Sequence, residues 1–206
     1  MTEKVKILML GEGAVGKSSL LSRYVDEKFS ENIQATLGVE YRQKILIQGE
    51  SQVTVQVWDT AGNQNSRGLG QERFRVITPI FYRNAQGVSL VYSVIDKNSF
   101  QQVQTWIDNL KEQIDCEQIS IVLVANKCDI AQREVTTLEG QQLAQKYQIK
   151  YFECSARTGA QVKEMYTELV QQILVRRGQN QNSQNGEKIP KNIQIDGGET
   201  QPQKCC

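Results

Sequence analysis

Residues 11–18 read Gly11-Glu12-Gly13-Ala14-Val15-Gly16-Lys17-Ser18, and they decide how the rest of the chain folds. The apolar run Val5–Leu10 precedes this stretch, and residues with helical spacing follow it. The pattern G-x-x-x-x-G-K-S between a strand and a helix is typical of a phosphate-binding loop. An ordinary glycine-rich turn that carries a lysine is the alternative, but such a turn does not require all four fixed positions.

The chemistry of phosphate binding explains these residue types. Glycines let successive backbone N–H groups point inward at phosphate oxygens, and the N-terminus of the next helix adds partial positive charge. Lys17 can reach the β- and γ-phosphates, and the hydroxyl of Ser18 can bind Mg²⁺. The nucleotide-binding residues predicted for this loop are Gly11, Gly13, Ala14, Val15, Gly16, Lys17, Ser18 and Ser19.

Composition limits the classes of function. The chain has 206 residues, which fits one domain, and its net charge of +1 argues against a nucleic-acid partner. It contains no histidine, which excludes Ser-His-Asp and Cys-His catalysis and histidine-bound zinc. No apolar run approaches the length of a membrane span, and the N-terminus lacks the apolar region of a signal peptide. We therefore expect a cytosolic protein.

Apolar patterns alternate along the chain between strands and helices. Strands are predicted at 5–10, 41–47, 52–58, 87–94, 119–125 and 150–153, and amphipathic helices lie between most of them. This order predicts an α/β domain with a mainly parallel sheet, and its ligand should lie beyond the carboxyl ends of the strands. From Gly178 the periodicity is lost, so we predict one domain over residues 1–177 and a disordered tail over 178–206.

Two further motifs follow predicted strands. In Asp59-Thr60-Ala61-Gly62, the carboxylate can hold Mg²⁺ through water and the Gly62 amide can contact a γ-phosphate, although D-x-x-G is also a common turn. In Asn126-Lys127-Cys128-Asp129, Asp129 can accept two hydrogen bonds from guanine that adenine cannot supply. Asn126 would connect this base loop to the phosphate loop, and the stem of Lys127 would cover one face of the base. By itself N-K-x-D is more often an ordinary polar loop, but its order after the other two motifs favours a guanine site.

The triplet Ser155-Ala156-Arg157 follows the last predicted strand. It would complete the base pocket by presenting backbone N–H groups to guanine O6. In isolation the triplet has no predictive value, so its interpretation depends on the motifs that precede it.

Together, the phosphate loop, Thr36, D-T-A-G, N-K-C-D and S-A-R resemble the five nucleotide motifs of Ras-type small GTPases over about residues 4–177. Features typical of the Rab branch are Leu37–Tyr41, Trp58, Gln71–Arg75, Tyr82–Ala85 and the terminal Cys205-Cys206. The resemblance implies a P-loop NTPase three-layer fold, with a mainly parallel six-stranded sheet, helices on both faces and one antiparallel edge strand.

The resemblance also implies a switch in vesicle-mediated membrane traffic that binds GTP or GDP with Mg²⁺ and hydrolyses GTP. Ser18, Thr36 and Asp59 would bind the metal, Thr36 would also contact the γ-phosphate, and Lys17, Thr36 and Gln71 would be the catalytic residues. Expected partners are effectors, an exchange factor, a GTPase-activating protein and a GDP-dissociation inhibitor, with the protein itself a monomer.

In this family, a pair of C-terminal cysteines carries two geranylgeranyl groups, so the resemblance implies this modification at Cys205 and Cys206. The alternative is that two cysteines at a chain end have no function. Two lipids agree with the charge of the tail, because its few lysines are offset by acidic residues and provide little electrostatic anchoring. We expect the protein to cycle between the cytosol and the cytoplasmic face of endomembranes or the plasma membrane.

The chain departs from the family pattern directly after Gly62. The glutamine that orients the attacking water should follow this glycine, but residues 63–70 (N-Q-N-S-R-G-L-G) intervene before Gln71. Three hypotheses remain open. The first is that the extra residues loop outward and Gln71 still reaches the site. The second is that Asn63 or Gln64 takes the place of Gln71, so that hydrolysis is slow or lost. The third is that the segment is absent from the working protein, since the codons GGT-AAT and TTA-GGT at its ends can spell splice sites.

Overall fold

The computed structural model describes residues 3–31, 35–36, 38–48, 51–61, 82–114 and 118–184. Several residues singled out in the sequence lie outside these ranges, namely Gly62, the segment 63–70, Gln71 and the cysteine pair 205–206. Within the described part of the chain, no helix is both long enough and apolar enough to cross a membrane.

The described elements begin with a strand and a helix, continue with an antiparallel strand pair, and then alternate between strands and helices. The described strands are β1 (Glu3–Leu10), β2 (Val39–Gln48), β3 (Ser51–Thr60), β4 (Gly87–Ser93), β5 (Ser120–Asn126) and β6 (Lys150–Glu153). The described helices are α1 (Lys17–Asp26), α2 (Lys97–Gln113), α3 (Thr137–Lys146) and α4 (Val162–Gln184).

The six strands form one sheet in the order β2-β3-β1-β4-β5-β6. All neighbouring pairs are parallel except β2 with β3, which places one antiparallel strand at the edge. The predicted fold class is therefore confirmed. Because β1, β3, β4, β5 and β6 point the same way, the loops that follow them lie at one edge of the sheet.

Each face of the sheet carries its own apolar core, as the two-residue period of a central strand requires. In β1, Val5, Ile7 and Met9 belong to the core that includes residues of α1 and α4, whereas Leu8 and Leu10 belong to the core that includes residues of α2 and α3. The layers on both faces bury Val5 and residues 7–10 of β1, which explains why this part of the strand is mostly apolar.

One predicted boundary is wrong. Residues 178–184 were assigned to the disordered tail, but α4 continues through Gln184. Extending a helix that is already anchored by packing costs little per residue, and glutamine is a good helix former. The loss of apolar periodicity at Gly178 therefore does not mark the end of the helix. The division into a domain and a tail stays a prediction for residues 185–206.

Candidate functional site

The loop between β1 and α1 has a backbone that accepts only glycine at two positions. Gly11 has φ +140°, and a Cβ there would lie 2.1 Å from the carbonyl oxygen of Val91. Gly16 has φ +93°, and its Cβ would lie 2.4 Å from Nδ2 of Asn126. The first and last glycines of the sequence motif thus pack directly against β4 and the base loop, and any side chain there would displace them.

Lys17 begins α1 and is 5% exposed. Its Nζ donates to the carbonyl oxygens of Gly11 at 2.9 Å and Glu12 at 2.8 Å, so the ammonium group lies inside the curve of the loop. Burial lowers the pKa of Lys17 to about 8, although the carboxylates of Asp59 and Glu12 oppose this shift. A phosphate group would supply the further negative charge that such a buried cation lacks.

Three oxygen-bearing side chains meet beside Lys17. The hydroxyls of Ser18 and Thr36 lie 2.6 Å apart, Ser18 donates to Oδ2 of Asp59, and Thr36 Oγ1 lies 3.3 Å from the same atom. Asp59 is completely buried, and its Oδ1 has no hydrogen-bond partner within the described residues. Burial raises the pKa of this carboxyl, and the hydrogen bond from Ser18 and the charge of Lys17 act in the opposite direction.

This cluster has the donor set that Mg²⁺ prefers, which is a carboxylate with neutral oxygen ligands. The unpartnered Oδ1 of Asp59 is the kind of buried acceptor that a cation or a metal-bound water would satisfy. The predicted metal residues Ser18, Thr36 and Asp59 are therefore brought together, and they fit the ion.

The base loop is tied to the phosphate loop by two side chains. Asn126 is buried, and its Nδ2 donates to the carbonyl oxygen of Val15 at 2.8 Å. Lys127 has φ +66°, and its Nζ donates to the carbonyl oxygen of Ala14 at 2.9 Å. Burial lowers the pKa of Lys127. The predicted connection through Asn126 is present, and Lys127 forms a second one.

The loop Ser155–Arg157 is held from two directions. The amide of Ala156 donates to Oδ1 of Asn126 at 3.3 Å, while Arg23 of α1 donates to the carbonyl oxygens of Ala156 and Arg157 at 2.8 and 2.7 Å. Sequence reasoning missed Arg23, because a single arginine in the last turn of a helix gives no signal of a partner more than 130 residues away.

A cavity of about 480 Å³ lies between these loops. Its lining includes predicted residues from four of the five motifs: Gly13, Ala14, Gly16, Lys17, Ser18, Ser19, Thr36, Asn126, Lys127, Asp129, Ala156 and Arg157. The predicted residues Gly11, Val15, Asp59 and Ser155 are buried and do not line the cavity. The sequence analysis missed Phe29, Ser30, Glu31, Ala35, Thr60 and Ile130, which also line the cavity. Phe29 is partly buried against the core that includes residues of α1 and α4, and it is the aromatic residue among the described residues of the lining. Nothing in its sequence spacing distinguishes it from a core residue.

Comparison with known proteins identifies similar chains. The model of the Ras family matches residues 6–175. The chain is 39% identical over 171 residues to the Ras-related protein RAB1BV of Beta vulgaris. This alignment covers 82% of the present chain and 75% of the relative. It is 38% identical to the GTP-binding protein ypt2 of Schizosaccharomyces pombe and 41% identical to the Ras-related protein Rab-18 of Lymnaea stagnalis. Each alignment spans 170 residues and covers 82% of this chain and 80% of the relative.

Proposed function

The chain belongs to the Rab branch of the Ras family of small GTPases, and on that premise we propose how its own residues hold and switch the nucleotide. As a member of this family it is a switch in vesicle traffic that binds GTP or GDP with Mg²⁺ and has GTPase activity. The observation that carries the proposal is the meeting of Ser18, Thr36 and Asp59 at 2.6–3.3 Å beside the buried ammonium of Lys17.

At the phosphate end, the amides of the phosphate loop and the N-terminus of α1 bind the β-phosphate, and Lys17 bridges the β- and γ-phosphates. When bound, Mg²⁺ neutralises charge on the same two phosphates. Ser18 and Thr36 would hold the ion through their hydroxyls, and Asp59 would hold it through a bound water. Thr36 contacts the γ-phosphate only in the GTP state, so the segment around it changes conformation after hydrolysis.

At the base end, Asp129 accepts hydrogen bonds from guanine N1–H and the exocyclic amine, and the stem of Lys127 covers one face of the ring. Because the amide of Ala156 already contacts Asn126, we assign the main contact with guanine O6 to the amide of Arg157. Phe29 is positioned at the cavity wall to pack against the nucleoside.

Nucleotide retention tests this assignment. Purified full-length chain should retain GDP and GTP at micromolar concentration in the presence of Mg²⁺, and a large excess of ATP should not displace them. Lys17→Ala should lose retention, whereas Lys163→Ala, which changes an exposed lysine at the start of α4, should not. Failure of the unmodified chain to retain either nucleotide would refute the proposal.

A second function follows from residues 63–70, which separate Gly62 from Gln71. In this alternative the protein binds GTP but does not hydrolyse it, and it engages effectors constitutively. Intrinsic hydrolysis in this class is slow, and an activating partner accelerates it by about 10³–10⁵-fold. We infer that the insertion impairs chiefly this accelerated rate, because the phosphate loop, Asp59 and the base motif lie outside it.

Single-turnover GTP hydrolysis separates the two functions. The full chain should be compared with a variant that lacks residues 63–70, with and without an activating protein. We expect the deletion to increase the stimulated rate, and Gln71→Ala in the deletion background should abolish that increase. Equal stimulated rates would mean that Gln71 already reaches the site. Sequencing the transcript tests whether the segment is retained at all.

We further propose that the protein is a monomer anchored on endomembranes through geranylgeranyl groups on Cys205 and Cys206. Its regulators are an exchange factor, an activating protein and a GDP-dissociation inhibitor, and effectors bind the GTP state. The folded GTPase domain then extends through Gln184, and the tail comprises residues 185–206.

A further inference from the structure

The second residue of the phosphate loop has a side chain that does not face the nucleotide. Glu12 is 8% exposed and is absent from the lining of the nucleotide cavity. Its Oε1 accepts a hydrogen bond of 3.0 Å from Nε1 of Trp106, which lies 94 residues away on α2. The phosphate loop is thus attached to a helix on the second face of the sheet.

The main chain of the same residue is held from the other side. The carbonyl oxygen of Glu12 accepts a hydrogen bond of 2.8 Å from Nζ of Lys17. One residue therefore links the cation that would bind the phosphates to the indole of Trp106. Any movement of Glu12 would also move an acceptor of Lys17.

Loss of the hydrogen bond between Trp106 and Glu12 would cost free energy on both sides. A buried carboxylate without a partner loses its hydration, and a half-buried indole N–H also requires an acceptor. The nearest charges act in opposite directions on Glu12, since Lys17 attracts the carboxylate and Asp96, the N-cap residue of α2, repels it. Among the described residues, Trp106 both stabilises the ionised carboxylate and fixes its direction through a hydrogen bond.

We propose that Trp106 is a positioning residue for nucleotide binding, which holds Glu12 against α2 and thereby keeps the phosphate loop closed around the phosphates. The inference rests on the proposed nucleotide-binding function. Release of a tightly cradled nucleotide requires the loop to open, and an anchor on a packed helix makes open conformations less populated. The contact should therefore slow nucleotide release.

A double-mutant cycle tests the contact. Dissociation of a fluorescent GDP analogue would be measured for Glu12→Ala, Trp106→Phe and the double variant. A hydrogen bond to a charged group predicts release roughly ten-fold faster in each single variant. Because both changes remove one contact, the double variant should release no faster than the faster single variant. Rates that multiply in the double variant would overturn the proposal.

Two matched variants separate the hydrogen bond from other effects. Trp58→Phe removes the other tryptophan of the chain, which lies on β3, and should change release by less than about two-fold. Glu12→Gln keeps an acceptor for the indole, although a weaker one, and should fall between the unmodified chain and Glu12→Ala. If Glu12→Gln releases as fast as Glu12→Ala, or Trp106→Phe behaves like Trp58→Phe, the hydrogen bond does not position the loop.

The indole proton gives a readout that does not depend on nucleotide binding. In the Trp58→Phe background, one indole N–H resonance remains, and it belongs to Trp106. The proposal expects a downfield resonance that moves upfield in Glu12→Ala and less in Glu12→Gln. An unchanged resonance in Glu12→Ala would overturn the contact, whereas loss of GDP retention by the unmodified chain would overturn the proposed function instead.

Discussion

Asn126 connects the base loop to the phosphate loop, although its hydrogen-bond partner Val15 lies 111 residues away in the chain. Its side-chain amide donates to the carbonyl oxygen of Val15 and accepts from the amide of Ala156, so one side chain fixes the phosphate loop, the base loop and the loop after β6. All three groups are buried, and a buried polar group left without a partner costs free energy. These hydrogen bonds hold the three loops of the site together.

We expect Asn126→Ala to destabilise the protein by about 2–4 kcal/mol, because it leaves two buried backbone groups unpaired. Urea denaturation measures this loss, and nucleotide retention should weaken in parallel. Gln141→Ala, at an exposed position of α3, is the matched control and should have an effect within about 0.5 kcal/mol. Equal stability of both variants would contradict the role of Asn126.

Asp129 lines the same cavity, and its proposed role predicts a change of base preference. In Asp129→Asn, an amide N–H faces one of the two guanine donors, so affinity for GDP should fall by at least about 100-fold. Xanthine carries a carbonyl where guanine carries the amine, so the variant should bind XDP better than GDP. Competition between the two nucleotides measures the preference. A variant that still prefers GDP would exclude Asp129 from base recognition.

At the scale of elements, α3 lies closer to the sheet than its sequence indicates. A Cβ on Gly140 would lie 2.5 Å from the hydroxyl of Tyr92 and 2.6 Å from the ring of Tyr151. Gly178 of α4 is also helical, but a Cβ there would meet nothing within 4 Å. Close packing therefore requires a glycine at position 140, whereas position 178 has room for a larger residue.

This difference predicts opposite signs for the same substitution. Gly140→Ala should destabilise the protein by about 1–3 kcal/mol, because overpacking outweighs the better helix propensity of alanine. Gly178→Ala should stabilise it by about 0.5–1 kcal/mol, because propensity acts there without a clash. Thermal unfolding of the two variants provides the comparison. A stabilised Gly140→Ala would show that α3 moves away from the sheet at little cost.

The N-terminus of α3 carries a charge-dependent contribution to stability. Thr136 and Glu139 form the capping box that the sequence predicts, and Glu139 also pairs with Lys97 of α2. The hydrogen bond from Lys97 and those from Thr136 lower the pKa of Glu139 to about 2 from its ordinary 4.5. A carboxyl whose pKa is lowered by folding stabilises the protein above the unfolded value and loses that effect as pH falls through the folded value.

Glu139→Ala should therefore lower the urea midpoint at pH 7, and its difference from the unmodified chain should shrink between pH 4.5 and about 2. Gln141→Ala, at an exposed position of the same helix, removes no titratable group and should show no such pH dependence. If the urea midpoint of Glu139→Ala lies below that of the unmodified chain by the same amount over this whole pH range, the helix cap acts without the charge of Glu139.

The sequence predicts most elements because their local signals agree with their tertiary positions. Continuous apolar runs correspond to β1, β4 and β5 in the middle of the sheet, and the capping box of α3 is a short-range pattern. The helical residues up to Gln184 were missed because α4 continues beyond the last apolar residue of its periodic pattern. Arg23 was missed because its role depends on contacts with a distant loop, and Phe29 because its spacing is that of a core residue.

At the scale of the whole molecule, the sequence itself limits how this chain can be held on a membrane. No helix in the described ranges can span a bilayer. Beyond Gln184 the lysines at 188, 191 and 204 are balanced by acidic residues at 187, 196 and 199, so the segment has no net charge with which to bind anionic lipids. The geranylgeranyl groups proposed on Cys205 and Cys206 would supply the membrane binding that the charge of this segment does not.

One lipid chain gives only marginal and reversible binding, whereas two give stable anchoring. We therefore expect Cys205→Ser/Cys206→Ser to be recovered entirely in the soluble fraction of cells, while each single variant is distributed between membrane and soluble fractions. Cys116→Ser is the matched control, because it removes a cysteine far from the C-terminus and should leave the distribution unchanged. Membrane recovery of the double variant equal to that of the unmodified chain would show that another part of the molecule, or a bound partner, carries the attachment.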